Sequence, residues 1–359
     1  MNYFSITSLS LFFYVLIASA CSAQGENKKV IQSDSSLYPH ELLLDFEGHP
    51  VVFYNVENLF DTLDAPGKND VEFTPDGKKG WNTERYNDKL EKLAEVITFP
   101  PNHQPLMVGL CEVETLPVVV DLMQTGKLAA STYRVAHFDS PDSRGIDVAL
   151  AYDSQRFYML HQEAVFVDIG PRPTRDILYV KGLLKDSIEL HVFVNHWPSR
   201  IGGVERSEVK RVAAAKRLRH KVDSLNKVHE HPNILIMGDF NDNPDDISID
   251  RALGAKAPVN AKTNGLVNLS RGPYKKEGAG TYNYKGNWDM LDQFIVSFDL
   301  WMGHNGLWVK DGKKYIIDDD RFLYFPNSGG STPNKTYGGN NYYGGYSDHL
   351  AIYLYLERH

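Results

Sequence analysis

The amino-acid sequence predicts a mixed fold of the α/β (α+β) class, with buried β-strands inside and helices packed over them. Residues 234–237 are continuously apolar, which is typical of a strand in a sheet covered on both faces. Residues 188–195 alternate more clearly between apolar and polar side chains. Apolar residues recur at helical spacing within residues 84–97, and the longest helical segment covers residues 205–227. These patterns predict internal sheets with helices on the outside.

The predicted elements follow one another as strand, helix and then further strands. The predicted strands are residues 51–55, 106–111, 133–138, 146–152, 177–184, 188–195 and 234–237. Two later apolar runs, residues 293–296 and 350–352, predict strands near the carboxyl end. The Gly- and Tyr-rich residues 337–345 predict a loop that leads into the final strand.

Length and composition are those of an ordinary soluble globular protein. The chain has 359 residues, of which 42% are hydrophobic and 23% charged, so it has ample material for a core. This length fits two domains or one large sandwich, and no linker divides the sequence. Only Cys21 and Cys111 are present, so the sequence contains no disulfide framework.

The net charge bears on the substrate. It is −8 at pH 7, so the whole surface lacks the basic excess that a tight, sequence-independent nucleic-acid binder uses. A local basic patch remains open, and its candidates are Arg200, Arg206, Lys210, Arg211, Lys216, Arg217 and Arg219. The same residues are equally interpretable as the solvated face of a helix. The charge therefore argues against DNA as the substrate without excluding it.

The first residues predict the compartment. Residues 9–20 are uncharged and apolar and end in small residues, which fits a secretory signal and is short for a membrane span. We expect residues 1–23 to be a signal peptide or lipoprotein signal and residues 24–49 to be a tether. Residues 18–21 resemble a lipobox in which Cys21 carries lipid, and ordinary cleavage after residue 23 is the alternative. The chain is therefore expected to be exported, as a membrane-anchored lipoprotein or as a periplasmic or secreted protein.

Six segments place acids, amides or histidines at the ends of predicted strands. They are Asn55-Val56-Glu57-Asn58, Cys111-Glu112-Val113-Glu114, Asn195-His196-Trp197-Pro198-Ser199-Arg200, Gly238-Asp239-Phe240-Asn241-Asp242, Asp289-Met290-Leu291-Asp292-Gln293-Phe294 and Tyr346-Ser347-Asp348-His349. A lone histidine at a strand end is more often structural. Six such segments in this order resemble the motifs of the endonuclease/exonuclease/phosphatase superfamily of metal-dependent phosphoesterases. The resemblance runs from about Val51 to the end of the chain.

The resemblance implies a four-layer sandwich, in which two packed, mostly antiparallel β-sheets are flanked by helices, over residues 50–359. It implies an exported phosphoesterase that depends on Mg²⁺ or Mn²⁺, and an endonuclease-like phosphodiesterase is the first expectation. A phosphomonoesterase or a phospholipid-headgroup hydrolase is the alternative, favoured by the acidic charge and the lipid anchor. A surface-binding module without activity is less favoured, since it would lack a motif residue and none is missing. The expected partners are a phosphate-ester substrate, with DNA as one candidate, and a membrane reached through lipid on Cys21.

A metal site is the first part of the implied chemistry. Hydrolysis of a phosphodiester needs a nucleophilic water, neutralised phosphoryl oxygens and a stabilised leaving group, and a divalent cation supplies two of these. The resemblance implies that Glu112 is the main ligand, that Asn55 helps to organise the metal and that Asp348 contributes. Oxygen ligands of this kind are those that Mg²⁺ prefers. Glu112 taken alone is also interpretable as a solvated acid at a strand end.

The resemblance assigns His349 as the general base and Asp292 as the carboxylate that holds its imidazole in the useful tautomer. Asp292 is chosen over Asp289 because it directly precedes the apolar run 293–296. An aspartate that only caps a turn is the structural alternative. A histidine titrates near neutrality, so the reaction is expected to run near neutral pH.

The remaining motif residues are implied to act on the phosphate. By resemblance Asp239 orients the water or assists the leaving group, and Asn241 hydrogen-bonds the phosphoryl oxygens. His196 is implied to donate a hydrogen bond to the phosphoryl oxygen on which negative charge develops in the transition state. A core histidine that closes a strand is the structural alternative for His196.

Three arginines are candidate substrate-binding residues. Arg200 and Arg206 could bind a phosphate bidentately, and each is equally interpretable as a solvated loop or helix charge. Arg144, just before the predicted strand 146–152, is a secondary candidate.

Overall fold

The computed structural model describes residues 48–101, 104–272 and 279–358, in which two seven-stranded β-sheets face each other. The strands, in chain order, are β1 (His49–Leu59), β2 (Met107–Val113), β3 (Tyr133–His137), β4 (Asp147–Asp153), β5 (Phe157–Val165), β6 (Ile177–Leu184), β7 (Ile188–His196), β8 (Ile234–Asp239), β9 (Ala255–Lys256), β10 (Leu266–Asn268), β11 (Tyr282–Tyr284), β12 (Asn287–Asp289), β13 (Asp292–Ser297), β14 (Leu307–Val309), β15 (Tyr315–Ile316), β16 (Leu323–Tyr324), β17 (Thr332–Pro333), β18 (Tyr337–Gly338), β19 (Asn341–Tyr342) and β20 (Ile352–Arg358). The α-helices are α1 (Thr83–Ile97), α2 (Leu116–Met123), α3 (Val204–Val228) and α4 (Phe298–Met302).

Both large sheets are mixed. The first has the order β14-β20-β1-β2-β4-β3, with β15 also paired to β20, and the second has the order β5-β6-β7-β8-β13-β10-β9. Within them β1–β2, β7–β8 and β9–β10 are parallel pairs, and the other pairs are antiparallel. Three short hairpins, β11–β12, β16–β17 and β18–β19, lie outside the large sheets. The expectation of mostly antiparallel sheets is confirmed.

Three hydrophobic layers pack the sandwich. In β1, Val51 and Phe53 face the second sheet, whereas Val52 and Tyr54 face α1 and α2, so both faces of this strand are buried. The outer face of the second sheet packs against α3. The sheets approach closely at Gly109, where a Cβ atom would lie 2.3 Å from the sulfur of a β8 methionine. The layers run helix, sheet, sheet, helix, which confirms the predicted four-layer sandwich.

The predicted strands and both predicted helices are present, with ends that shift by a few residues. Several elements were not predicted, namely the helices α2 and α4 and the strands β5, β9 to β12 and β14 to β19. Residues 118–120 of α2 are three successive valines, which favour a strand on propensity, and Pro117 starts the helix. In β5 most side chains are exposed or half-buried, so the sequence shows little alternation.

The predicted leader stays a prediction. The signal segment, residues 1–23, and nearly all of the tether, residues 24–49, lie outside the described residues. Within the described part of the chain, no helix is long and apolar enough to span a membrane.

Candidate active site

Three polar residues lie in one row across neighbouring strands of the second sheet. His196, the last residue of β7, pairs in register with Asp239, the last residue of β8. Asp292, the first residue of the antiparallel strand β13, pairs with Asp239 from the other side. Because β7 and β8 end where β13 begins, the topology itself brings these three side chains to one edge of the sandwich.

The first sheet presents Asn55 and Glu112 at backbone irregularities. The pairing of β1 with β2 shifts register after Asn55, and the pairing of β2 with β4 shifts around Glu112. Glu57 and Glu112 have positive φ angles of 50° and 63°, which are uncommon for residues other than glycine. Such bulges re-aim side chains beside a sheet edge. Glu112 Oε2 is held there by the backbone N–H of Asn58, at 3.1 Å.

A buried histidine–carboxylate pair joins the two sheets. His349 Nδ1 lies 2.7 Å from Asp292 Oδ2. The backbone N–H of His349 donates to Ser347 Oγ, and that of Asp292 donates to Thr281 Oγ1, each at 3.1 Å. The ring of Tyr282 lies against the imidazole, with 4.8 Å between the ring centroids. Because Nδ1 faces the carboxylate, we assign the proton to Nδ1, which leaves Nε2 for a ligand in the cleft.

Asp239 lies at the centre of the cluster. Its Oδ2 accepts a hydrogen bond of 3.0 Å from Asn55 Nδ2 across the two sheets, and its Oδ1 accepts one of 2.9 Å from the backbone N–H of Asn241. His196 Nε2 and His349 Nε2 lie 3.6 and 3.8 Å from Asp239 Oδ2. Both imidazoles therefore flank the same carboxylate without a close hydrogen bond to it.

The cluster shifts the pKa values of its members in different directions. Burial, with the charge of Arg175 added, lowers the pKa of His196 well below its usual range. Burial alone would lower the pKa of His349, but the charges of Asp292 and Asp239 outweigh it and raise that pKa well above 6.5. Burial raises the pKa of Asp239 to about 6, against the opposing effect of His349. The two histidines therefore differ in basicity although both are buried.

The acidic side of the cluster suits a hard divalent cation. Glu112 and Asp348 line the same cleft, and Glu112 Oε1 lies 3.7 Å from His196 Nε2. Burial, followed by the charge of Glu57, raises the pKa of Asp348 to about 7, and Glu112 adds to this shift. A divalent cation that prefers oxygen ligands reduces the repulsion between crowded carboxylates. The residues present therefore fit Mg²⁺ or Mn²⁺. Asn55 Oδ1 accepts the backbone N–H of Glu57 at 3.1 Å, so Asn55 contacts both Glu57 and Asp239.

A cleft of about 850 Å³ opens above these residues. Its lining includes most of the predicted site, namely Glu112, Arg144, His196, Arg200, Asp239, Asn241, Asp348 and His349. Asn241 has a φ of 50° and donates one amide hydrogen to the carbonyl of Trp197, at 3.0 Å. The structure thus brings together eight residues that were predicted from separate motifs. Asn55 and Asp292 lie outside the lining and contact Asp239 and His349, respectively.

The three predicted arginines have different surroundings. Arg200 borders the cleft, but its guanidinium is bonded to the carbonyl of Asn241 and to the carboxylates of Asp289 and Asp246. Arg206 is exposed on α3 and is not part of the cleft lining, so its position does not support the predicted contact with a substrate in the cleft. Arg144 lines the cleft with 44% of its side chain exposed, compared with 21% for Arg200, so it is the more accessible of the two arginines in the cleft.

Sequence reasoning missed several residues of the cluster. Tyr282 and Tyr284 line the cleft from the hairpin β11–β12, which has no clear periodicity in the sequence. Glu57 lies within a strand-end motif but is not among the predicted site residues, and its carboxylate accepts the backbone N–H groups of Thr336 and Tyr337. The signal available in the sequence was an acid two residues after Asn55, at the end of a predicted strand.

Three other groups of histidines and carboxylates lie elsewhere in the described residues. They are Glu189, His191 and His229; His231, Asp299 and His304; and His137, Asp139 and Asp147. None of these nine residues lines the cleft, whereas Asp239, Asp292 and His349 form a further group of which Asp239 and His349 line it.

Solved structures share this fold at low sequence identity. A mannosyl-6-phosphatase of Bacteroides thetaiotaomicron is 17% identical, with 86% of this chain and 99% of that chain covered and a TM-score of 0.52. A D. rerio TDP2 complexed with a single-strand DNA product is 15% identical, with 87% and 99% covered and a TM-score of 0.53. The human Nocturnin catalytic domain is 16% identical, with 87% and 95% covered and a TM-score of 0.50. No curated protein matches this chain.

The match of the chain to a family model agrees with the geometry. The model described as the Endonuclease/Exonuclease/phosphatase family covers residues 50–358, which is nearly the whole described part of the chain. That range includes every strand-end motif that carried the resemblance. The chain therefore belongs to the endonuclease/exonuclease/phosphatase family of phosphoesterases.

Proposed function

We propose that this protein is a divalent-metal-dependent hydrolase of compact phosphate esters. One observation carries the proposal: the buried His349–Asp292 pair, Asp239, His196 and Glu112 converge on one cleft. An oriented base, a neutral donor and an oxygen-rich cation site are the parts that attack of water on phosphorus requires.

The residues of the chain divide the chemistry as follows. His349 Nε2 accepts the proton of the attacking water, and Asp292 holds the ring and stabilises the imidazolium that forms. His196, kept neutral by burial and by Arg175, donates a hydrogen bond to a phosphoryl oxygen. Glu112 and Asp348, with Asn55 behind them, would hold Mg²⁺ or Mn²⁺, which supplies charge neutralisation on the phosphoryl oxygens when it is bound.

The placement of the basic residues favours a compact substrate over a long duplex. Beyond Arg200, the basic residues of the run up to Arg219 do not line the cleft. Arg211 is fully buried and forms an ion pair with Asp242, with 2.7 Å between Nε and Oδ2. A protein that holds duplex DNA uses several phosphate contacts along the backbone, and among the described residues that line the cleft Arg144 and Arg200 are the only arginine or lysine side chains.

A second candidate is cleavage of single-stranded nucleic acid or nucleotides. It is favoured by Tyr282 and Tyr284, which line the cleft on β11. Tyr284 is 57% exposed, so its ring is accessible for stacking. Aromatic platforms of this kind bind bases with little sequence preference. An endonuclease-like phosphodiesterase of this type needs fewer phosphate contacts than one that holds a duplex.

The test compares substrate classes on the purified protein. Activity would be measured on a sugar phosphate, p-nitrophenyl phosphate, bis-p-nitrophenyl phosphate, a single-stranded oligonucleotide and plasmid DNA, each with Mg²⁺, Mn²⁺ or chelator. We expect metal-dependent turnover that is fastest on a compact ester and is lost in Glu112→Gln. Fastest turnover of the oligonucleotide would select the second candidate, and equal rates with chelator would contradict the metal-dependent mechanism.

We also propose, from the sequence, that the protein is exported and carries lipid on Cys21. The apolar stretch 9–20 and the lipobox-like residues 18–21 support this proposal. Labelling with a fatty-acid analogue in a bacterial host, followed by membrane fractionation, tests it. We expect label on the wild type and none on Cys21→Ser, and an unlabelled wild type in the soluble exported fraction would favour ordinary cleavage.

A further inference from the structure

A buried lysine holds the segment that leads into the catalytic pair. Lys89 lies on α1 and is 1% exposed. Its Nζ donates to Thr336 Oγ1 at 2.6 Å and to the carbonyl oxygen of Tyr346 at 2.5 Å. These two acceptors mark the two ends of residues 336–346, here called the clamped loop. One ammonium group therefore ties both ends of this loop to a helix.

Glu57 holds the start of the clamped loop from the opposite side. Its two carboxylate oxygens accept the backbone N–H groups of Thr336 and Tyr337, at 2.6 and 3.1 Å. Glu57 has a φ of 50°, so the backbone of β1 adopts an uncommon conformation where it aims this side chain. Lys89 on α1 and Glu57 on β1, which are both buried and have opposite charges, therefore both bind Thr336.

Further contacts place the whole clamped loop on one face of α1. Lys92, one turn after Lys89, donates to the carbonyl of Gly344 at 2.5 Å. The guanidinium of Arg85 lies 4.3 Å from the ring centroid of Tyr342. Residues 85, 89 and 92 recur at helical spacing, so a single cationic stripe of α1 contacts the loop. Lys79, outside the helix, donates to the carbonyl of Gly339 at 3.1 Å.

The clamped loop is continuous with the catalytic residues. Ser347 follows it directly, donates to the carbonyl of Asn55 at 2.7 Å and accepts the backbone N–H of His349. Asp348 and His349 are therefore two and three residues beyond the carbonyl that Lys89 holds. We expect a shift of that carbonyl to be passed on to both side chains, because one residue separates Tyr346 from Asp348 and two separate it from His349.

We infer that Lys89 is a positioning residue, whose ammonium fixes the clamped loop against α1 and so sets the place of Asp348 and His349. The inference rests on the proposed function for its kinetic consequence. A buried ammonium is costly, and here it is matched by nearby carboxylates, namely Glu57, Asp348 and Glu112. Burial lowers the pKa of Lys89 to about 8, and those carboxylates oppose the shift. A purely apolar side chain could fill the same space but would remove the ammonium donor from both oxygens, and within the part of the chain that the structure describes the carbonyl of Tyr346 would keep only the long hydrogen bond from the Thr336 hydroxyl, at 3.5 Å.

The experiment compares Lys89→Met with three other variants, by kinetics and by hydrogen exchange. Lys92→Met removes a clamp contact five residues before His349, Thr336→Val removes one acceptor of Lys89, and Lys216→Met removes an exposed lysine of α3 as the control. For Lys89→Met we expect kcat to fall roughly 10- to 100-fold with KM nearly unchanged, because misplacement of about 1 Å at a reacting group has an effect of this order. Lys92→Met and Thr336→Val should show smaller losses, and Lys216→Met none.

Hydrogen exchange separates the inference from the proposed function. We expect faster exchange in residues 336–349 of Lys89→Met, with the amides of β8 still protected. If the wild type hydrolyses none of the tested esters, the exchange result alone decides whether the clamp exists. If Lys89→Met does not fold, Thr336→Val carries the test with the same expected pattern. Unchanged exchange in residues 336–349, or a kcat that falls only in proportion to the folded fraction, would overturn the inference.

Discussion

Two groups of charged and polar residues stand out in the sequence, and the structure uses them in different ways. The strand-end motifs converge, so that Asp239, Asp292 and His349 come within hydrogen-bonding or near-contact distance. The basic run on α3 disperses, with Arg211 buried and Arg206 exposed away from the cleft. The topology of the sheets brings residues at strand ends close together. Residues along a helix instead point in different directions, because each is rotated about the helix axis relative to the one before it.

The difference has a direct physical cause in each region. The second sheet places the ends of β7 and β8 beside the start of β13, so three motifs meet without any loop being required to bring them together. On α3 the inward face carries Ala214, Leu218 and Val222, which pack against the sheet. Arg211 shares that inward face and reaches Asp242, which follows β8. A charge on a helix is therefore informative only once its face is known.

Removal of the base should have the largest effect on activity. His349→Ala leaves the water without a proton acceptor, so kcat should fall by roughly 10²- to 10⁴-fold. KM for a compact ester should change little, because the other cleft residues remain. Steady-state kinetics on the substrate selected above measure this, with His220→Ala on the exposed face of α3 as the control. A loss below tenfold would mean that another group accepts the proton.

Replacement of Asp292 should change the pH profile as well as the rate. Burial by itself lowers the pKa of His349, and the charge of Asp292 is the largest opposing effect. The reaction needs the neutral imidazole, so the acidic limb of the wild-type profile should lie at a raised pKa. In Asp292→Asn that limb should move to lower pH, while kcat falls at every pH because the tautomer is no longer fixed.

A matched control exists in the same motif. Asp289 accepts hydrogen bonds from Arg200 and Asn243, whereas Asp292 is the carboxylate that contacts the imidazole, so Asp289→Asn should leave the position of the limb unchanged. The two profiles are compared as log kcat against pH at saturating substrate and metal. An acidic limb of Asp292→Asn that stays in place would show that the limb belongs to another group.

The buried pair of α3 should matter for stability rather than for catalysis. Arg211→Met removes the nearest cation from the buried carboxylate of Asp242, which among the described residues keeps only the Ser248 hydroxyl and the guanidinium of Arg200 at 3.6 Å. Loss of one partner of a buried ion pair typically costs about 3–5 kcal/mol of unfolding free energy. Urea unfolding measures this cost. Arg219 forms an i,i+4 ion pair with Asp223 at the surface, and Arg219→Met should cost no more than about 0.5 kcal/mol. Equal costs for the two variants would mean that burial does not distinguish these arginines.

The same contrast explains which functional residues could be predicted from the sequence. Asp292 could be chosen over Asp289 because a strand follows it, and the structure pairs it with His349. The inward direction of Arg211 could not be foreseen, since its partner Asp242 lies 31 residues away and contact depends on how α3 packs. Lys89 carries no motif at all, and its function depends on acceptors about 250 residues away. Order and local pattern predict strand-end sites, whereas partners brought together by packing need coordinates.

The smallest effect is expected from the exposed basic residues of α3. The triple substitution Arg206→Ala, Lys210→Ala and Lys216→Ala removes three exposed cations that do not line the cleft, so turnover of a compact ester should stay within about twofold of the wild type. If this face held DNA, each lost phosphate contact would reduce the slope of log binding constant against log salt by about 0.9. Arg144→Ala is the counterpart inside the cleft, and it should raise KM for the ester without changing that slope. If the triple variant loses oligonucleotide binding while Arg144→Ala keeps it, α3 is a nucleic-acid-binding surface. The protein would then be better described as an endonuclease-like phosphodiesterase than as a hydrolase of compact esters.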